Sequence, residues 1–135
     1  MSDRAKTVVR LNTEQVRGQG DWALFDKLFA EDFRDHTPQP GFGTDKAAVL
    51  RLYQAMRFAF HDFAALIHWQ SVEDGLVTTF KTYHGTHTGT FLGVPPTGKH
   101  VSFKTLDAML VVDGRIVEHW GVANFFSAMR QVGAA

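Results

Sequence analysis

The stretch Val101–Phe125, VSFKTLDAMLVVDGRIVEHWGVANF, decides how this chain folds. It reads as two strands joined at Asp113-Gly114, a pair favoured in tight hairpin turns. On the first strand, alternation puts Val101, Phe103, Thr105, Asp107, Met109 and Val111 on one face, with Ser102 and Lys104 on the other. A carboxylate on so apolar a face must find a hydrogen-bond partner or have its pKa raised by desolvation. A raised pKa would suit Asp107 to general-base work; a paired one would be structural. The turn allows two registers. A two-residue loop sets Asp107 opposite Trp120, so that Trp120, Val122 and Asn124 line a pocket and Asn124 anchors a substrate carbonyl. A type I turn with Gly114 in a G1 bulge shifts the pairing by one. Asp107 then faces His119, Met109 faces Val117 and Thr105 faces Gly121. In that register Asp107 would fix the tautomer of His119 and raise its pKa. Gly121 and Ala123 would leave room above the sheet, with Trp120, Val122 and Asn124 turned away.

Upstream, a second strand pair flanks Asp74-Gly75: DFAALIHWQSVE (62–73) and LVTTFKTYHGTH (76–87). Before it the pattern is helical. Ala5, Val8, Val9, Asn12 and Val16 recur on one face, and Gly18 and Gly20 end that helix. Asp21 caps a second helix carrying Trp22, Phe25, Leu28 and Phe29. The segment EDFRDHTPQPGFG (31–43) is a short extended piece and a loop. Thr44 caps a third helix to about Phe58, striped by Val49, Leu52, Tyr53 and Met56, and FFSAMRQVG (125–133) closes the chain as a short helix. Helices followed by strands predict an α+β domain over residues 1–135, with the helices on one sheet face and a twofold dimer covering the other.

Composition narrows the function. Fourteen Lys and Arg balance fourteen Asp and Glu, and no basic run occurs, which argues against nucleic acid or an anionic membrane as partner. With no cysteine there are no disulfides, thiolate nucleophiles or Cys-based metal sites. The charged start MSDRAKTVVRLN lacks a signal-peptide core, so a soluble cytoplasmic protein is expected. No HExxH, GxSxG, GxGxxG or P-loop pattern is present, and no metal site is expected. Five further residues have two uses each. His36 sits at the expected cavity mouth and either binds substrate or caps its loop. His87 shapes its loop or contacts substrate. Arg57 meets the third helix's C-terminal dipole or a substrate. Tyr53 and Met56 form core or cavity wall.

The segments GTHTGTFLGVPPTGK (85–99) and VVDGRIVEHW (111–120), with the ending MRQVG (129–133), resemble the SnoaL-like polyketide cyclase family. GDWALFDKLFAEDFRDHTP (20–38) and MRFAFHDF (56–63) extend the likeness over nearly the whole chain. The resemblance implies a nuclear-transport-factor-2-like cone, in which a curved antiparallel sheet and N-terminal helices enclose an apolar pocket. Characterised members close a polyketide ring by intramolecular aldol condensation without metal or cofactor, using a pocket Asp with a His nearby. The positions matching that His and Asp are Asp107 and Gly121. Because both pocket positions are odd-numbered, the resemblance favours the bulged register. The expectation is a cofactor-free acid/base enzyme acting on a small hydrophobic carbonyl compound as cyclase, isomerase or dehydratase. Asp107 and His119 would do the chemistry, with Met109 and Trp120 among the substrate contacts. The alternative is a non-catalytic carrier of a small hydrophobic ligand.

Overall fold

A computed structural model describes residues 2–134. The N-terminal helix α1 (Ser2–Leu11) runs into a π-helical turn, Asn12–Arg17. Next come α2 (Trp22–Leu28), β1 (Phe29–Asp35), α3 (Lys46–Ala59), β2 (Ala64–Glu73) and β3 (Leu76–Thr86). The chain ends with β4 (His100–Val112), β5 (Arg115–Ala123) and α4 (Phe125–Gln131). Asp21 caps α2 by accepting from Leu24 N, as its position predicts. For α3 the cap is Asp45, one residue beyond the expected Thr44, accepting from Ala48 N.

The five strands lie in the order β1-β5-β4-β3-β2. Strands β2 to β5 form the expected antiparallel meander. The supposed short extended piece is longer than its sequence suggested and joins the sheet in parallel beside β5, with Asp35 next to His119. That edge pairing corrects the purely antiparallel sheet expected. Phe29 and Phe33 start β1 early because both are buried in the core beneath the helices.

The helices pack on one face, as the alternation on β3 and β4 requires. Val77, Tyr83, Val101, Phe103 and Met109 all point inward and are buried. Two apolar clusters form. One centres on Val9, Phe25, Phe29, Phe33, Val77 and Met109; the other on Phe60, Phe63, Tyr83, Phe91 and Phe103. Between them the inward positions turn polar: Thr79 and Lys81 on β3, Thr105 and Asp107 on β4, all buried. A polar belt across the middle of a core has to be satisfied from within, and there the site is found.

The GxHxG motif has a packing reason. A side chain at Gly85 or Gly89 would collide with Phe60 or Phe58 at the end of α3, so the loop can dock only with glycine there.

Candidate active site

The β4–β5 turn sets the site. Asp113 (φ 51°) and Gly114 (φ 77°) are both left-handed, which makes a two-residue type I′ turn rather than a G1 bulge. Val112 pairs with Arg115 and Val111 with Ile116, but Leu110 pairs with Glu118, so Val117 is an extra residue bulged out of β5. Beyond it Met109 faces His119, Asp107 faces Gly121 and Thr105 faces Ala123. Neither expected register is found. The turn is that of the first and the facing residues follow the parity of the second, so His119 and Gly121 point inward.

Asp107 and His119 meet as diagonal neighbours. His119 Nε2 lies 3.5 Å from Asp107 Oδ2, and His119 Nδ1 lies 2.9 Å from Asp35 Oδ1. Lys81 Nζ donates to Asp107 Oδ2 at 2.9 Å, with side chains 0% and 1% exposed. Asp35 also accepts from Thr37 N at 3.0 Å, and Thr37 Oγ1 in turn accepts from Gly121 N at 2.8 Å. The parallel β1–β5 edge therefore supplies one carboxylate of the chain Asp35–His119–Asp107–Lys81.

Electrostatics follow from this pairing. Burial opposes ionisation of Asp107, but Lys81 and His119 override it and hold the carboxyl far below the usual range. Asp107 is thus a paired carboxylate and not the raised-pKa base first considered. Burial likewise works against charge on His119, yet the flanking Asp107 and Asp35 raise its pKa. Burial raises Asp35, but its bonds to His119 and Thr37 together outweigh it and lower the carboxyl; burial lowers Lys81, but Asp107 and Tyr83 together outweigh it and raise the amine.

Gly121 is explained by the ring beside it. A Cβ there would lie 2.9 Å from His119 Nε2 and 3.0 Å from Asp107 Cβ. The imidazole occupies the space that any side chain at 121 would enter. The missing side chain makes room for His119 as well as for a ligand.

Asp35, His119, Asp107 and Gly121 line one narrow cavity of about 50 Å³, together with Arg17, Thr37, Leu52, Tyr83, Phe103, Thr105 and Phe125. Several other expected contacts lie elsewhere. His36 is on the outer sheet face, stacked on Trp120 at 4.7 Å and 2.8 Å from Glu118 Oε1. Asn124 caps α4 by accepting from Ser127 N, and Arg57 donates to the carbonyls of Arg17 and Phe63. His87 is fully buried, with Nδ1 accepting from Thr97 N, and so pins the 88–99 loop. Met56 and Met109 are core residues, and the Tyr53 hydroxyl is taken up by Asn12 Nδ2 at 3.0 Å. Burial pushes that hydroxyl up to about 12.

Lys81 and Asp35 went unnoticed in the sequence, although a signal existed. Lys81 shares strand parity with buried Val77 and Tyr83, the same argument that marked Asp107, and Asp35 shares parity with buried Phe33. Among the described residues, no group of three His, Asp or Glu has the geometry to hold a metal ion, and no helix is long and apolar enough to cross a membrane.

Known proteins agree with this architecture. The family model described as SnoaL-like polyketide cyclase matches residues 7–132. Nogalonic acid methyl ester cyclase of Streptomyces nogalater is 31% identical over 98 residues, covering 72% of this chain and 73% of that protein. Aklanonic acid methyl ester cyclase DnrD of Streptomyces peucetius is 29% identical over 79 residues, covering 58% and 54%. Among solved structures, IdmH of Streptomyces antibioticus superposes with a TM-score of 0.83 at 29% identity, covering 96% of this chain and 98% of that one. TsrD of Streptomyces laurentii shares the fold at a TM-score of 0.88 and 20% identity, covering 98% and 97%.

Proposed function

The chain belongs to the SnoaL-like polyketide cyclase family, and from that premise we propose a cofactor-free acid/base enzyme acting on a hydrophobic carbonyl compound, with His119 as its proton-carrying group. The observation that carries this is the imidazole held between two carboxylates at the cavity wall. The short bond from Nδ1 to Asp35 fixes the ring. The long contact from Nε2 to Asp107, at 3.5 Å, leaves that proton free to move to a ligand. His119 Nε2 gives its proton to the substrate carbonyl oxygen. Asp107 Oδ1, which is buried and has no partner, receives the proton leaving the neighbouring carbon. As the imidazolium gives up its charge, one of the two cations that depress Asp107 disappears, and its basicity rises at that moment. The resulting enol attacks a second carbonyl in a cyclase, is reprotonated elsewhere in an isomerase, or expels water in a dehydratase.

Two features favour this over a carrier that has lost its chemistry. Gly121 replaces an acid, but an acid/base imidazole fills the vacated space. A buried ion pair such as Lys81–Asp107 also contributes little net stability, since desolvation consumes most of its attraction, so its presence beside the cavity suits a working site. The test uses nogalonic acid methyl ester and aklanonic acid methyl ester in deuterated water, followed by mass spectrometry. Wild-type protein should yield an isomer or exchange a proton beside a carbonyl, and His119→Gln should lose roughly 10²–10⁴-fold in rate. Binding of either ester without exchange or conversion would favour the carrier instead.

We also propose a dimer through the open sheet face. Trp69, Phe80, Leu106 and Val122 are successive cross-strand partners on β2 to β5 and form one apolar row, with Val122 72% exposed. A second copy of the chain is its proposed cover.

A further inference from the structure

We propose that Arg17 is the binding group for an anionic oxygen, so that the substrate carries, apart from the carbonyl that His119 protonates, a carboxylate or the ionised enol of a 1,3-dicarbonyl. The inference rests on this cavity being the ligand site, and it adds the substrate's charge and the residue that selects it.

Charge in the cavity is unbalanced. Lys81 is paired with Asp107 and His119 with Asp35, which uses both carboxylates of the wall. Arg17 is the remaining cation. Among the described residues no carboxylate stands within ion-pair distance of its guanidinium, and its buried Nε has no hydrogen-bond partner. A guanidinium stays charged at any working pH and presents its donors as a rigid fork that fits an oxyanion. Its position is built. It leaves the end of the π-helical turn and lies between two tyrosine rings, 4.4 Å from the Tyr53 centroid and 4.3 Å from that of Tyr83. These faces favour the cation but accept none of its N–H bonds in the guanidinium plane.

Arg17 has company. Tyr83 OH and Thr105 Oγ1 are also buried without a partner, and both residues line the same cavity. Native interiors seldom leave such groups unpaired, so several around one small space indicate that a ligand completes them. Arg17 Nε, Tyr83 OH and Thr105 OH offer three donors, and Asp107 Oδ1 is the one unpaired acceptor beside them. Three donors and a spare positive charge describe a receptor for an anionic oxygen, whereas a neutral ketone would leave the charge unanswered. The cavity of about 50 Å³ admits that functional group, and Leu52 and Phe125 supply apolar wall beside it.

The experiment measures equilibrium binding, by calorimetry or ligand-observed NMR, of charged and neutral pairs of similar shape. Benzoate against benzamide reads a carboxylate; 1,3-cyclohexanedione at neutral pH, where it is ionised, against cyclohexanone reads an enolate. At least one anion should bind wild-type protein on the order of tenfold more tightly than its neutral counterpart. Arg17→Met should bring that preference close to unity. Tyr83→Phe should weaken the anion several-fold without affecting the neutral compound. Equal binding of both pairs to wild-type protein overturns the proposal, as does an undiminished preference in a folded Arg17→Met. If Arg17→Met does not fold, the wild-type pairs and Tyr83→Phe decide. His119-dependent turnover without anion preference would remove this inference and leave the acid/base function standing. Anion preference without turnover would do the reverse.

Discussion

Replacing Gly121 by alanine should destabilise the protein and release His119, although a glycine inside a strand is ordinarily a weakness. Backbone entropy alone favours alanine by roughly 0.5–1 kcal/mol. Against it stands the new Cβ, 2.9 Å from His119 Nε2 and 3.0 Å from Asp107 Cβ, about half an ångström inside ordinary contact at 3.4 Å. Overpacking of this kind costs about 1–3 kcal/mol, so the net change is a loss. The imidazole is the part that can yield, because Asp107 is tied to Lys81. Moving the ring stretches its 2.9 Å bond to Asp35, and its pKa should fall back toward the ordinary 6.5. A misplacement of 1 Å at a reacting group costs on the order of 10²-fold, so a shift of about half an ångström should cost roughly tenfold in activity. Gly121→Asp should do worse than alanine, because the ring already fills the site and Asp107 would face a second carboxylate. Urea denaturation reads the stability and an NMR titration of the His119 Cε1–H reads the ring. A Gly121→Ala protein as stable as wild type, with an unchanged His119 titration, would refute the steric argument.

Other expectations concern the charges and the open face. Lys81→Met leaves Asp107 buried without its cation and should cost about 3–5 kcal/mol by chemical denaturation, whereas Lys81→Met with Asp107→Leu should recover much of that loss. The raised pKa of His119 gives stabilisation that is complete below 6.5 and fades as pH rises through the folded value. The lowered pKa values of Asp35 and Asp107 give stabilisation present above 3.8 and lost as pH falls through their folded values. Activity should therefore decline on the alkaline side, and Asp35→Asn should move that limb to lower pH in a pH–rate profile. For the dimer, light scattering at micromolar concentration should give twice the chain mass, and Leu106→Glu with Val122→Glu should give the monomer. A wild-type monomer under those conditions would contradict the interface.

Much of this protein is legible in its sequence because burial follows periodicity. Alternation on β4 identified the inward face carrying Asp107, Asp-Gly pairs located both hairpins, and the helical stripe of Val8, Val9 and Val16 identified the face of α1 that enters the core. The same rule applied to Lys81 would have supplied the ion pair. Composition points the other way, because a lysine inside a strand ordinarily faces water. His36, Arg57 and Asn124, expected at the cavity mouth, at the end of α3 and on the pocket side of one register, do not line the cavity. Each satisfies a backbone or surface group, and local spacing does not distinguish that from a pocket.

What the sequence by itself determined is the four strands β2 to β5, the positions of both Asp-Gly turns and the parity of β4. What only the tertiary structure decided is the parity of β5 beyond Val117. The type I′ turn holds Val111 against Ile116, and Ile116 is wholly buried. Continued without interruption, that pairing would turn Glu118 and Trp120 inward and His119 out. One bulged residue reverses the alternation, because a strand's side chains repeat every two residues and a single insertion exchanges its faces. The parallel contact with β1, which sets Asp35 against His119, fixes that choice from a distance of more than eighty residues. No local pattern in the hairpin carries that information.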